Sequence, residues 1–187
     1  MKNLIMLFLA TSLTVSSVEA KEDTLKKKVK HDQSIELSSK QKQLLTTALD
    51  TAREDGHKNP FILPGIIMVE SKAGTAKKFR TAKHKPSYDK SVGLAQIIAS
   101  TARGVMKRHP EVKSAMKSKD LDYELANNDR FNIVIASKYL NDLSEFTHGE
   151  AQLIAAYNTG HVVKRPERMS YVKLVQKNIS LVKRERL

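Results

Sequence analysis

Apolar residues at helical spacing, capping residues ahead of those runs, and no convincing strand alternation together predict an all-α or helix-dominated α+β fold in a single domain. Length agrees: 187 residues with 40% of the hydrophobic set suit one domain that buries a real core. Charged residues make up 28% and are interspersed with Leu, Ile and Val, which excludes global disorder.

The elements follow in order. Met1-Lys2, the apolar run Leu4 to Ala10 and the small residues of Val18-Glu19-Ala20 read as a secretory signal peptide over residues 1–20. A membrane anchor is the competing reading, but the run fades into Thr11, Ser12, Thr14, Ser16 and Ser17, short of the about 20 residues a spanning helix needs. Residues 21–37, with Lys26, Lys27, Lys28 and Lys30, read as a flexible basic arm, and 38–187 as the folded domain. Ser38 or Ser39 caps a helix whose Leu44, Leu45, Ala48, Leu49 and Ala52 share one face until Gly56. Proline fits a helix's first turn, so the next helix starts at or just before Pro64 and runs through Ile66, Ile67, Met68 and Val69 to Glu70 and Ser71. It is nearly all apolar and should be central. Residues 72–92 form a basic excursion with room for a small hairpin.

Ser100 is a cap for Thr101 to about His109, closed by Pro110. A longer helix starts near Asn128 or Asp129 and presents Phe131, Val134, Ile135, Tyr139, Leu140 and Leu143 on one face. Thr147 and Glu150 make a capping-box pattern for a helix through Leu153 to Tyr157, which Gly160 ends. The last helix follows Ser170 with Val172, Val175, Ile179 and Val182 inward.

Composition narrows the function. A net charge of +13 predicts an anionic partner: nucleic acid, a lipid surface or envelope polymers. Export makes cytoplasmic nucleic acid a poor candidate, and removing residues 1–20 takes away one base, Lys2, and one acid, Glu19, so the charge persists. With no Cys there is no disulfide scaffold, Cys-ligated metal or lipid anchor. The histidines 31, 57, 84, 109, 148 and 161 are scattered without HExxH, Lys77-Lys78 lacks phosphate-loop spacing, and no serine elbow occurs. The reading therefore calls for neither a metal nor a cofactor.

Four short segments carry the chemistry. In Val69-Glu70-Ser71 a carboxylate ends an apolar run, surroundings that disfavour its charged form and suit a proton donor. In Gly93-Leu94-Ala95-Gln96-Ile97 the glycine allows a close backbone approach and the glutamine offers a two-sided amide. Ala155-Ala156-Tyr157-Asn158-Thr159-Gly160 sets a phenol and an amide at a helix end, and Tyr171-Val172-Lys173-Leu174-Val175 adds an aromatic on the last helix. Singly, each has an ordinary structural explanation: an exposed helix-end Glu, a plain helix start, a capping Asn, a core Tyr.

Taken in order, these segments resemble the soluble-type lytic transglycosylases, whose domain carries Glu-Ser, Gly-Leu-Met-Gln, Ala-Tyr-Asn and a later Tyr. The resemblance spans about residues 60–178 and implies a lysozyme-like fold that cleaves peptidoglycan glycan strands. It implies Glu70 as catalytic acid and base, with Ser71, Gly93, Leu94, Gln96, Tyr157, Asn158 and Tyr171 at the substrate. Ala95 stands where the family usually has Met, which alters a contact surface near the sugar. Glu70-Ser71-Lys72-Ala73-Gly74 is also similar to goose-type lysozymes, which release products with water.

A single carboxylate suffices if the substrate supplies its own nucleophile, the C6 hydroxyl of the muramyl residue closing a 1,6-anhydro ring. Hydrolysis, with Asp89 as a second carboxylate, is the enzymatic rival; a non-enzymatic basic protein binding envelope polymers is the rival from another class. The expected setting is periplasmic or otherwise exported, without stable membrane insertion after cleavage near Ala20. Glycan strands are the expected partner, not nucleic acid, and an envelope-spanning secretion or conjugation apparatus is an open second one.

Overall fold

The computed structural model describes residues 36–76, 79–80 and 90–187. The signal-peptide reading, nearly all of the basic arm and the loop bearing Lys77, Lys78, Lys83, Lys85 and Asp89 fall outside the described residues. Ser38–Leu187 forms one compact unit.

Helix α1 (Ser39–Glu54) begins where the sequence places it: Ser38 Oγ accepts from the Gln41 amide at 3.3 Å and Gln41 Oε1 accepts from the Ser38 amide at 3.0 Å. Its Leu45, Ala48, Leu49 and Ala52 are buried. Helix α2 (Ile62–Ser71) has Pro64 in its first turn and buries Ile62 through Met68, as its all-apolar composition demands. The chain then enters a three-stranded antiparallel sheet of two-residue strands, β1 (Phe79–Arg80), β2 (Ser91–Val92) and β3 (Ile97–Ile98), in that spatial order. Val92 pairs with both Phe79 and Ile97.

Helix α3 (Ala99–Arg108) starts at the end of β3 with Ile98 in the cap position, so Ser100 lies inside the helix instead of ahead of it. Pro110 does close it, by opening a 3-10 turn over Pro110–Ala115. Helix α4 (Leu121–Asn127) was not anticipated, because seven residues give too short a run for periodicity; Asp120 caps it by accepting from the Tyr123 amide at 3.0 Å. Helix α5 (Asp129–Ser144) is capped by Asn128, which accepts from the Phe131 amide at 3.1 Å.

Helix α6 (Glu150–Thr159) lacks the expected capping box: Gly149 takes the cap position and the Thr147 hydroxyl donates back to the Leu143 carbonyl at 3.0 Å. Gly160 ends α6 in a left-handed conformation. A 3-10 turn at Pro166–Arg168 leads into α7 (Ser170–Arg184), which buries Val172, Val175, Ile179, Leu181 and Val182. The fold is therefore helix-dominated, with α2 running against α7 along an extensive contact. Among the described residues no helix is long and apolar enough to cross a membrane.

Candidate active site

The site is built around the C-terminal end of α2. Glu70 is its penultimate residue, half-buried, and the chain reverses immediately after it through Lys72, Ala73 and Gly74, all at positive φ. Ser71 makes that reversal possible. Wholly buried, it donates to the Ile67 carbonyl at 3.2 Å and accepts from the Gly74 amide at 3.1 Å. The hydroxyl secures the turn that holds its neighbour, and no part of Ser71 is exposed.

Across from Glu70, the first turn of α7 brings Tyr171, whose hydroxyl donates to Glu70 Oε1 at 2.7 Å. A hydrogen bond of this length fixes the carboxyl's orientation. The contact joins residues far apart in sequence and follows from the packing of α2 on α7.

The Gly93–Gln96 segment is the four-residue turn of the β2–β3 hairpin, not a helix start. Gly93 does permit a close approach, but to the protein itself: a Cβ there would lie 2.2 Å from Asn132 Nδ2 and 2.2 Å from the Leu125 carbonyl oxygen. Leu94 is 0% exposed and packs in the core, so its side chain has no surface to offer a sugar. Both belong to the support of the site. Gln96, at φ 51°, is half-buried; its Nε2 donates to the Gly93 carbonyl at 2.8 Å and its Oε1 accepts from Ser91 Oγ at 3.2 Å.

Two buried side chains clamp that turn from below. Asn132 of α5, 0% exposed, accepts from the Ala95 amide at 2.8 Å and donates to the carbonyls of Val92 and Leu125, each at 3.0 Å. Tyr157 of α6 donates its hydroxyl to the Ala95 carbonyl at 2.8 Å. Both polar groups of the Ala95 backbone are thereby satisfied away from solvent. Burial, then the nearby Glu70 and Tyr139, push the Tyr157 phenol well above its ordinary range, so it stays protonated as a donor. Its ring lies 5.4 Å from that of Tyr139 at 52°. Tyr157 was expected at the cleft wall; its hydroxyl instead reaches inward, while Asn158, the next residue, is exposed.

Sequence reasoning missed Asn132. The available signal was an amide between Phe131 and Ile133 inside a run of core residues, where a polar group persists only with partners. A separate cavity of about 340 Å³ is lined by His57, Asn59, Asn141, Glu150 and neighbours, and none of the expected site residues borders it.

Among the described residues no group of His, Cys, Asp and Glu is arranged to hold a metal ion. The family model for the transglycosylase SLT domain matches residues 48–179, a span holding Glu70, the β2–β3 turn, Tyr157 and Tyr171. The chain belongs to the transglycosylase SLT domain family. Searches of curated proteins and of solved structures find no match. Membership indicates an enzyme of the lytic-transglycosylase type that degrades peptidoglycan, and gives the geometry its frame: in this SLT domain the acid at the end of α2 meets α7 beside a turn locked onto α5 and α6.

Proposed function

We propose that the protein cleaves the β-1,4 bond between MurNAc and GlcNAc and leaves 1,6-anhydroMurNAc ends, with Glu70 as the one acid and base. The supporting observation is the Tyr171–Glu70 hydrogen bond, which orients a half-buried carboxyl within the SLT-matched span. Protonated Glu70 gives its proton to the glycosidic oxygen as the C1–O bond breaks; the resulting carboxylate takes the proton of the C6 hydroxyl as that oxygen bonds to C1. The nucleophile belongs to the substrate, so no water need be held, and ring closure gains from high effective molarity. In this reading Asn158, exposed near the end of α6, meets the substrate's N-acetyl group.

Three of the other described carboxylates have structural partners. Asp55 pairs with Lys138, Asp142 with Arg108 and His109, and Glu150 with Asn59. Export with cleavage near Ala20 would bring the enzyme to its strands outside the cytoplasm, where an envelope-spanning secretion or conjugation apparatus is a partner able to recruit it.

Two measurements test the reading. Glu70→Gln should keep the helical circular-dichroism signal and lower muropeptide release from sacculi by about a thousandfold, the scale of a lost general acid. Wild-type products should resist borohydride, since anhydro ends cannot be reduced. Reducible ends heavier by one water would replace this mechanism with hydrolysis, and Asp89→Asn would then identify or exclude the second carboxylate.

A further inference from the structure

The connection between α6 and α7 carries charge that nothing in the fold uses. Lys164, Arg165 and Arg168 are all exposed, and none forms an ion pair with a described residue; Glu167 is the only acid among residues 161–170. Surface cations on a +13 chain often face solvent to no end, so position decides. Here the backbone that bears them is pinned. The 3-10 turn Pro166–Arg168 packs on both α6 and α7, the Arg168 amide donates to the Arg165 carbonyl at 3.2 Å, and Met169 donates to Pro166 at 3.0 Å. At the other end Thr159 Oγ1 donates to the His161 carbonyl at 2.9 Å.

This pinned segment joins the helix end that bears Tyr157 and Asn158 to the helix start that bears Tyr171. Two residues lie between Arg168 and Tyr171, a span of at most about 11 Å, and Tyr171 touches Glu70. Arg168 therefore stands at the rim of the site on the Tyr171 side, with Lys164 and Arg165 on the same pinned segment. GlcNAc is neutral and the lactyl carboxyl of MurNAc is spent in its amide to the stem peptide, so the negative charge of a peptide-bearing strand lies in the stem-peptide carboxylates, which branch from MurNAc, the residue whose C1 is attacked. Two guanidinium forks and an ammonium suit such carboxylates, the forks by paired hydrogen bonds.

Resting on the proposed function, we infer that Lys164, Arg165 and Arg168 form a subsite for the stem-peptide carboxylates and make strands with free peptide carboxylates the preferred substrate over strands whose carboxylates are capped. The rim acts on binding, not on the chemical step, so it bears on KM more than on kcat.

The test compares kcat/KM on peptide-bearing strands with that on the same strands after carbodiimide-driven amidation with excess ammonia has capped their carboxylates, for the wild-type chain and a Lys164→Gln, Arg165→Gln, Arg168→Gln variant. The variant should lose about tenfold on peptide-bearing strands at low salt, a factor of two to three per cation, mainly through KM. On the capped strands it should match the wild type, which also reports that the fold is intact. An equal loss on both substrates, or none on either, overturns the subsite while leaving the glycan chemistry standing. A wild-type chain inactive on both kinds of strand would instead overturn the proposed function, and the subsite with it.

Discussion

Asn132 makes the sharpest residue-scale demand. Its side chain satisfies the Ala95 amide and two buried carbonyls, so Asn132→Leu, near in volume, would strand three backbone groups at once. Each orphaned group costs about 1–3 kcal/mol, and the variant should lose about 3–5 kcal/mol in urea unfolding. Tyr157→Phe removes one donor to the Ala95 carbonyl and should cost only about 1–2 kcal/mol while lowering activity, since the turn carrying Gln96 loosens. A Tyr157→Phe chain with unchanged stability would show that the carbonyl finds another donor. These roles mark the limit of the sequence. Glu70 is legible because an acid ending an apolar run is odd locally; the tasks of Ser71, Leu94 and Tyr157 are not, because a motif names residue types and only packing decides which way each side chain faces.

For the helices, one glycine sets the spacing between acid and partner. A Cβ on Gly65 of α2 would come within 2.7 Å of Ile179 Cγ1 and 3.3 Å of the Val175 carbonyl, both on α7. Gly65→Ala gains helix propensity of up to about 1 kcal/mol but should lose about 1–3 kcal/mol to overpacking. It should also lower kcat, as α7 shifts and draws Tyr171 from Glu70. Ile179→Ala removes the obstructing atom, so in a double-mutant cycle the pair should be less destabilised than the sum of the singles. Strict additivity would mean that α2 and α7 are not in the close contact described. Helices with a full apolar face or an all-apolar run, such as α1, α2, α5 and α7, were readable because periodicity and caps agree. Two-residue strands and the seven-residue α4 have too few residues to show a period, and the start of α3 is set by the strand that feeds it.

Across the whole unit, titratable groups link one helix to the next, and their shifts on folding give stability a two-step dependence on pH. Between α1 and α5, Ser137 Oγ donates to Asp55 at 2.6 Å while His57 Nε2 lies 2.9 Å from the same hydroxyl and Lys138 pairs with Asp55 at 2.7 Å. Burial holds His57 below its ordinary 6.5; Asp55 and the Ser137 bond pull upward, and Lys138 adds to the lowering. The unfolded chain therefore takes a proton near pH 6.5 that the folded chain resists. This contribution is complete above 6.5 and is lost as pH falls from there toward the lowered folded value.

Asp142 and Glu124 act further down. Burial alone would raise both, but hydrogen bonds from Arg108 and His109 to Asp142, and from Asn128 and the Lys117 and Ser118 amides to Glu124, bring them below their ordinary 3.8 and 4.5. Their support is complete above those values and is lost as pH falls below them. Tm should thus be level above about pH 7, decline by a few degrees just below pH 6.5, and fall steeply below about pH 4.5. His57→Gln keeps an amide donor for Ser137 but cannot titrate, so it should flatten the first decline and leave the second unchanged. A first decline that survives the substitution would assign it to another group and remove His57 from the account, whereas its disappearance would show that one imidazole between α1 and α5 sets the upper edge of acid sensitivity for the whole unit.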